Sequence, residues 1–234
     1  MEFNKLSAPT LKELFVEQLE NMILSGKLAI GEKLPSEREL AQSMQISRSV
    51  VNAGLAEIAD KGFLEIVPRS GTYVADYRKR GTLDTLVSIM KFNGGTLPDP
   101  DILSILQIRK VLTGLALTLA IPRIKDEETA QLDEQAARLH KTSDCAKAAE
   151  IIFEFDHLLC NFSANTLLPL IFYSFRAPNL TLFERFFRLH GFEPLRRRTD
   201  ALCQAIHSRD VETAKSIMDR SIDDTISGKT VIYR

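Results

Sequence analysis

Four residues between positions 47 and 52 carry side chains that could recognise a base pair. Ser47, Arg48, Ser49 and Asn52 open a stretch whose apolar residues recur at helical spacing. An arginine can donate two hydrogen bonds to the edge of a guanine, and an asparagine can pair in the same way with an adenine. Placed at the start of an exposed helix, these side chains would form a surface able to read a major groove.

The sequence around these residues predicts the helices that must position them. Thr10 and Glu13 form a capping box for a first amphipathic helix, and Ser36 and Glu39 form another for a short second helix. In such a box the hydroxyl and the carboxylate satisfy backbone N–H groups that the first helical turn leaves unpaired. Ser47 follows after a short turn and can cap a third helix. The polar surface would then lie at the start of this third helix.

Two strand-like segments follow the third helix. Residues 63–67 and 72–75 contain β-branched and aromatic side chains, and the connection through residues 68–71 has the composition of a tight hairpin. Three helices and a hairpin are typical of a winged helix-turn-helix (α+β) domain, which we expect over residues 1–75. A small α+β packing module without nucleic-acid contacts would give the same local pattern.

The remainder of the chain contains only helical patterns. A charged linker is expected over residues 76–81, and an all-α bundle over residues 82–234. Pro178 falls inside one helical segment and should kink or split it. The expected helices lie near residues 82–93, 100–121, 127–141, 144–164, 166–189, 193–208 and 211–226.

Composition limits the classes to which the protein can belong. Lys and Arg number 30 against 31 Asp and Glu, the net charge is −1, and 44% of the residues are hydrophobic. These values are ordinary for a soluble globular protein. The three cysteines form no CxxC pair, which favours a reducing compartment, and the sequence shows neither a signal sequence nor a long uninterrupted apolar run. We expect a cytoplasmic protein without a membrane partner, and the bulk charge gives no indication of nucleic-acid binding.

The segment from Gly31 to Val74 resembles the DNA-binding domain of GntR-family transcriptional regulators. The matching features are Gly31, the run LPSERELA at 34–41, the triplet SRS at 47–49, Leu55, Gly62 and the segment GTYV at 71–74. The resemblance implies a homodimer that binds a palindromic operator in double-stranded DNA. It also implies that the protein responds to a small-molecule effector, and we expect it to act as a repressor.

The same resemblance implies further DNA contacts. Arg38, on the helix before the recognition helix, would also reach the DNA, and the wing tip formed by Arg69, Ser70 and Gly71 would enter the minor groove, where narrow regions attract arginine. An ion pair with an adjacent glutamate is the alternative role for Arg38. Asn52 stands where many relatives carry an arginine, so we expect a different operator sequence.

The helical part resembles the C-terminal domain of the FadR subfamily, which dimerises and holds an effector inside the bundle. Most members of its larger branch bind a divalent metal there, through an aspartate and three histidines. The first histidine position is His157, but Phe153 stands where the aspartate should be, and Thr199 and Ser221 stand at the two later histidine positions. One ligand is too few for a metal site. We therefore expect neither a metal nor a cofactor.

The stretch around His157 resembles the metal-free branch that responds to fatty acyl-CoA. The resemblance implies an acyl-CoA or another hydrophobic acid as effector, with a small organic or sugar acid as the alternative. The predicted helix near residues 144–164 is apolar on two faces, which is typical of the central helix of a bundle. Phe153, His157 and Cys160 form the second of these faces. Packing in the core is the alternative role for these aromatic residues. The candidate effector contacts are Arg109, Phe153, His157, Cys160, Thr199 and Ser221.

Two further basic features of the helical part have two interpretations each. Arg109 lies on an otherwise apolar helix and could meet either an acidic effector or an internal carboxylate. The run Arg196, Arg197 and Arg198 could meet a phosphate-bearing ligand, but a solvated helix face is the favoured interpretation.

An enzyme is the alternative from a different functional class. A metal-assisted hydrolase could use Asp156, His157 and His190. Adjacent helical residues point about 100° apart, so Asp156 and His157 could not easily bind one ion together. No other catalytic motif accompanies them, and we expect a regulator without catalytic residues.

Overall fold

The structure is a computed structural model that describes residues 8–95 and 97–232. The chain divides into two compact units, the first ending at Gly95. Among the described residues, the first unit contains five helices and two strands, and the second contains seven helices.

The first unit has the winged helix-turn-helix architecture that the sequence predicts. The three capping residues are confirmed: Thr10 and Ser36 form complete capping boxes, and the Ser47 side chain accepts a hydrogen bond from the Val50 N–H. The elements are α1 (Leu11–Leu24), α2 (Glu37–Met44), α3 (Arg48–Asp60), β1 (Leu64–Val67), β2 (Gly71–Val74), α4 (Tyr77–Arg80) and α5 (Leu83–Phe92).

Close packing of α1 against α3 forms the core of this unit. Phe15 and Leu19 on α1 and Val51 and Ile58 on α3 are each at most 2% exposed. Gly54 allows the two helices to approach, because a Cβ atom at this position would overlap the ring of Phe15. This contact fixes the orientation of α3 within the unit.

The small sheet has an edge that the local sequence pattern did not indicate. β1 and β2 pair antiparallel, with Leu64 opposite Val74 and Val67 opposite Gly71. The segment 31–34 adds to the other side of β2 through hydrogen bonds that include Leu34 N–H to the Thr72 carbonyl, at 2.8 Å. An isolated bridge between Lys33 and Tyr73 belongs to the same pairing. The wing is therefore supported on both sides of β2.

The region between the expected domains differs from the sequence expectation. Residues 76–81, expected as a linker, contain the short helix α4, and Arg80 forms an ion pair with Glu65 at 2.9 Å. Helix α5, expected in the bundle, belongs to the first compact unit. Its Thr85 hydroxyl donates a hydrogen bond to the Lys61 carbonyl. Local composition could not reveal these contacts, because they join residues far apart in the sequence.

The second unit is an all-α bundle, as expected. Its helices are α6 (Asp99–Ala120), α7 (Asp126–Lys141), α8 (Cys145–Phe162), α9 (Leu168–Ser174), α10 (Arg176–His190), α11 (Glu193–His207) and α12 (Val211–Ile226). The segment 166–189 is split at Phe175, and Pro178 lies in the first turn of α10. A proline is tolerated there, because the first-turn N–H groups have no partner within the helix.

Helix α8 is the central helix of the bundle and packs against α6, α7, α9 and α10. Its buried residues include Ile152, Phe155 and Leu159, all fully enclosed. Helix α6 is long and apolar enough to cross a membrane, with a mean hydropathy of 1.5. In the structure one face of α6 packs against α8 and α12, while Ile108, Val111 and Leu115 on the same helix are exposed.

Candidate nucleic-acid interface and buried charge cluster

The start of α3 presents polar side chains to solvent. Arg48, Ser49 and Asn52 are exposed, while Ser47 uses its oxygen to cap the helix. The Ser47 and Ser49 hydroxyl oxygens lie 2.9 Å apart. These residues are held on a rigid helix whose opposite face packs into the core, so their positions are well defined relative to the rest of the unit.

The two arginines of the helix-turn-helix, Arg38 and Arg48, have different surroundings. Arg48 forms a long ion pair with Glu37, at 3.7 Å, and its side chain is 66% exposed. Glu39 is engaged at the α2 cap, where its carboxylate accepts hydrogen bonds from the Ser36 N–H and hydroxyl at 2.8 and 2.7 Å. These bonds lower the pKa of Glu39. The glutamate ion pair considered for Arg38 is thus made by Arg48, and Arg38 is exposed on the first turn of α2.

The wing tip is an exposed turn with unusual backbone geometry. Arg69 has φ of +63° and Gly71 has φ of +133°, in the region that favours glycine. The Ser70 hydroxyl lies 2.7 Å from the Tyr73 hydroxyl, which links the tip to β2. Arg69 and Ser70 are exposed. The eight sequence-predicted residues thus lie on the first turn of α2, the start of α3 and the hairpin turn.

Three charged side chains meet inside the second unit. Arg198 on α11 donates a hydrogen bond to Asp156 on α8, with 3.3 Å between Nη2 and Oδ1. Asp156 is fully buried, and Arg198 and Arg109 are each 5% exposed. Arg109 on α6 stacks on Phe183, with 4.5 Å between the guanidinium carbon and the ring centroid. We call Arg109, Asp156 and Arg198 the buried charge cluster.

The basic run on α11 is not a solvated face, so the favoured interpretation of Arg196–Arg198 is wrong for two of its three members. Arg198 is buried, and Arg196 donates to the carbonyls of Leu139 and Thr142, at 3.2 and 2.8 Å. Arg197 alone of the three is exposed. The reason is helical geometry: three consecutive residues point in different directions, and one of them faces the core.

The buried charge cluster contains more positive than negative charge. Burial lowers the pKa of Arg109 to about 10, while the Asp156 charge opposes this shift and the Arg198 charge adds to it. Burial raises the pKa of Asp156, against the effect of both arginines. With both arginines charged, the cluster holds two positive charges and at most one negative charge. A second anion would therefore be stabilised there.

Four buried side-chain polar atoms, three of them in the buried charge cluster, have no hydrogen-bond partner among the described residues. They are Nε of Arg109, Oδ2 of Asp156, Nε of Arg198 and Oδ1 of Asn179. Unsatisfied buried polar atoms are costly, and each needs an explanation. An acidic ligand that accepts from the arginine N–H groups would satisfy two of them.

Of the six effector contacts expected from the sequence, only Arg109 belongs to this cluster. His157 lies instead in an aromatic group, 6.0 Å from Phe153 and 5.3 Å from Tyr173 between ring centroids. Thr199 donates to the Leu195 carbonyl of its own helix at 2.8 Å. Ser221 is half-buried on α12. Cys160 is fully buried, which raises the pKa of its thiol.

Asp156 and Arg198 belong to the cluster but are not among the six effector contacts expected from the sequence. Both occupy positions with the helical spacing of buried residues: Asp156 lies four residues after Ile152, and Arg198 lies three residues after Leu195. A charged residue inside an apolar stripe was the signal that could have found them.

The residues considered for a hydrolase do not form one site. Asp156 faces Arg198, whereas the Nε2 atom of His190 lies 2.9 Å from the Val231 carbonyl oxygen. Within residues 8–95 and 97–232 no group of three or more His, Cys, Asp or Glu side chains is arranged to hold a metal ion.

Comparisons with known proteins give matches in both units. Residues 11–74 match the family model of bacterial regulatory proteins, gntR family, and residues 104–224 match the FCD domain. The chain is 30% identical over 144 residues to the HTH-type transcriptional regulator Mce2R of Mycobacterium tuberculosis, covering 62% of this chain and 59% of that protein. It is 30% identical over 108 residues to the Glc operon transcriptional activator of Escherichia coli K12, covering 46% of this chain and 41% of that protein.

Among solved structures, the fold is similar to that of Lar, which controls expression of the agr system of Listeria monocytogenes. The TM-score is 0.65 at 15% identity, covering 94% of this chain and 97% of the other. The chain spans about three fifths or less of the length of the two curated relatives. The matched domains are those of transcription regulators and not of enzymes. Because the FCD match covers more than half of the sequence, the chain belongs to the FCD-domain family, and its first unit carries a helix-turn-helix domain of the gntR type.

Proposed function

We propose that this protein is a cytoplasmic transcription regulator of the FadR subfamily that binds a palindromic operator as a homodimer. We further propose that it represses transcription until an acidic effector enters the FCD domain. The observation that carries the DNA-binding part is the capped start of α3, where Arg48, Ser49 and Asn52 are exposed on a helix whose other face is buried. A helix presented in this way fits a major groove.

Each residue of the interface has a proposed role. Arg48 donates to a guanine after leaving its weak ion pair with Glu37, and Asn52 pairs with an adenine. Ser47, Ser49 and Arg38 contact phosphates or bases near the groove edge. Arg69, Ser70 and Gly71 enter the minor groove.

A gel-shift experiment tests this interface. The probe is a duplex selected from a random-sequence library by the wild-type protein. Arg48→Ala should weaken binding at least about fivefold per protomer, because a bidentate guanine contact contributes about 1–3 kcal/mol, and should remove the shifted band at concentrations that saturate the wild type. Arg123→Ala, which removes an exposed arginine of the other unit, is the matched control. Full affinity in Arg48→Ala would contradict the recognition-helix assignment.

We propose the buried charge cluster as the effector site, with a free carboxylate as the group it recognises. The support is the surplus positive charge of Arg109 and Arg198 and the unpartnered Nε atoms of both side chains. Arginine donates to a carboxylate in a fixed planar geometry. The ligand would supply the second anion that the cluster lacks.

Recognition of a free carboxylate distinguishes between the classes of effector that the sequence predicts. A small organic acid, a sugar acid or a free hydrophobic acid each carries a carboxylate, whereas an acyl-CoA is a thioester with no charge at the acyl carbonyl. The cluster therefore offers an acyl-CoA no ionic anchor for its acyl end. A free acid is the effector we propose, and acyl-CoA is its competitor in the test.

Ligand-induced thermal stabilisation measures the difference. Short organic acids, a sugar acid, medium-chain fatty acids and their CoA thioesters are tested on the full chain, since a ligand that binds only the folded state raises its stability. At least one free acid should raise Tm, and Arg109→Met should remove the shift. Arg220→Met, at an exposed position on α12, should retain it. Stabilisation by thioesters alone would overturn the free-acid proposal.

A further inference from the structure

A lysine not used in the interface described above lies beside the wing tip. Lys33 is in the segment that pairs with β2, and its backbone bridges to Tyr73. Its side chain crosses the face of Gly71: a Cβ atom built on Gly71 would come within 2.7 Å of Lys33 Cε and 3.5 Å of Nζ. The ammonium nitrogen lies 5.9 Å from the centroid of the Tyr73 ring. The missing side chain of Gly71 therefore provides the space in which the lysine lies.

The carboxylates close to Lys33 in the fold are engaged elsewhere. Glu32 accepts a hydrogen bond from the Ala29 N–H at 2.8 Å. Glu65, on β1, pairs with Arg80 at 2.9 Å. Lys33 is exposed and forms no ion pair within the described part of the chain. Its positive charge is thus available to a partner outside this chain, near the exposed Arg69.

We infer that Lys33 binds a backbone phosphate of the DNA, next to the groove that the wing tip enters. This inference rests on the proposed DNA binding. A lysine recognises a phosphate as a compact positive charge, without a demanding geometry. Gly71 and Tyr73 hold the stem of Lys33, which reduces the number of conformations it must lose on binding. Lys33 and Arg69 would then contact the same DNA segment from the edge and the tip of the wing.

A purely structural role for Lys33 makes a different prediction. The wing tip is already linked to β2 by the Ser70 and Tyr73 hydroxyls, at 2.7 Å. If Lys33 only packed on the wing, its loss would weaken binding by the same factor at every salt concentration. A lost phosphate contact also lowers the slope of log affinity against log salt, by about 0.9 per protomer bound.

The experiment measures this slope for the full chain with the duplex selected by the wild-type protein. Lys33→Gln should reduce the magnitude of this slope by about 0.9 per protomer. The affinity of the variant should therefore approach that of the wild type as salt rises, and the ratio between the two affinities should fall about 3.5-fold per protomer from about 50 mM to about 200 mM salt. Lys33→Arg should restore the slope. Lys27→Gln, which removes an exposed lysine beside α1, is the matched control and should leave it unchanged.

Tyr73→Phe and Arg48→Ala distinguish a failure of the Lys33 inference from a failure of the proposed function. Tyr73→Phe removes the hydroxyl link and should change affinity without changing the slope. Selective binding that is lost in Arg48→Ala but has an unaltered slope in Lys33→Gln would overturn the role of Lys33 and leave the proposed function standing. Failure of the wild-type protein to enrich any duplex would overturn both.

Discussion

At the scale of single residues, the most informative feature is a set of charges placed where apolar side chains are expected. Asp156 and Arg198 lie on buried helix faces and pair with each other, and Arg109 lies on Phe183 with no carboxylate of the described residues in hydrogen-bond contact. Burying a charge is unfavourable unless it is paired. The pair and the extra arginine should therefore respond to mutation in opposite ways.

Replacing the two arginines by methionine tests this difference. Arg198→Met leaves Asp156 buried without its partner and should lower the free energy of unfolding by about 3 kcal/mol or more. Arg109→Met removes a desolvated charge and should leave stability unchanged or increase it. Urea unfolding at neutral pH measures both. Equal losses in the two variants would show that both arginines are needed to balance Asp156.

At the scale of elements, hydrogen bonds at the helix ends define the helix-turn-helix. The capping boxes of α1 and α2 and the Ser47 cap of α3 satisfy N–H groups that the helices themselves leave open. The α2 box begins the helix whose first turn carries Arg38, and the Ser47 cap begins the helix whose first residue is Arg48. Interface geometry thus depends on a few short-range hydrogen bonds.

The α2 capping box should make stability depend on pH. Hydrogen bonds from Ser36 lower the pKa of Glu39 in the folded state below 4.5. The unfolded state therefore binds the proton first as pH falls, so the stabilisation is complete above pH 4.5 and is lost as pH falls through the lowered pKa. Glu39→Ala should lower Tm at neutral pH, and the difference from wild type should vanish in acid.

The control for this measurement is Gln42→Ala, at an exposed position on the same helix. It should leave Tm nearly unchanged at every pH, since most surface substitutions have small effects. A Glu39→Ala difference that persisted unchanged in strong acid would contradict the charged capping interaction. Thermal unfolding followed by circular dichroism over a pH series gives the answer.

At the scale of the whole molecule, charge is balanced although the proposed DNA contacts are basic. The first 80 residues contain 11 Lys and Arg against 11 Asp and Glu, and the remainder contains 19 against 20. Non-specific DNA affinity comes mainly from neutralising phosphates with many cations. A unit with only a few well-placed cations should therefore depend more on base contacts than on phosphate neutralisation for its DNA affinity.

Binding to random DNA should accordingly be weak. At physiological salt, a random-sequence duplex should bind at least about a thousandfold more weakly than the selected duplex. A thousandfold ratio of affinities lies at the lower end of the range that is usual for specific DNA-binding proteins. Competition gel shifts with excess unlabelled random DNA measure the ratio of the two affinities. A duplex that was selected by an unrelated protein serves as the control. Comparable affinity for both DNAs would contradict a site-dependent binder.

Features that depend on residues a few positions apart are already visible in the amino-acid sequence. These are the three helix caps, the hairpin turn at 68–71, the helical character of the second unit and the exposed polar start of α3. The physical reason is that caps and turns are closed by hydrogen bonds within three or four residues, so their chemistry is visible in the local sequence.

Contacts between side chains that are distant in the sequence depend on how the whole chain packs. Asp156 and Arg198 are 42 residues apart, and Lys33 and Tyr73 are 40 residues apart. The sequence marked Arg109 and His157 as candidate effector contacts but could not supply their neighbours, which for His157 are the rings of Phe153 and Tyr173. Which face of a helix is buried, and against what, depends on how all the helices pack together, because the free energy of a charged side chain is set by the partners that packing brings to it.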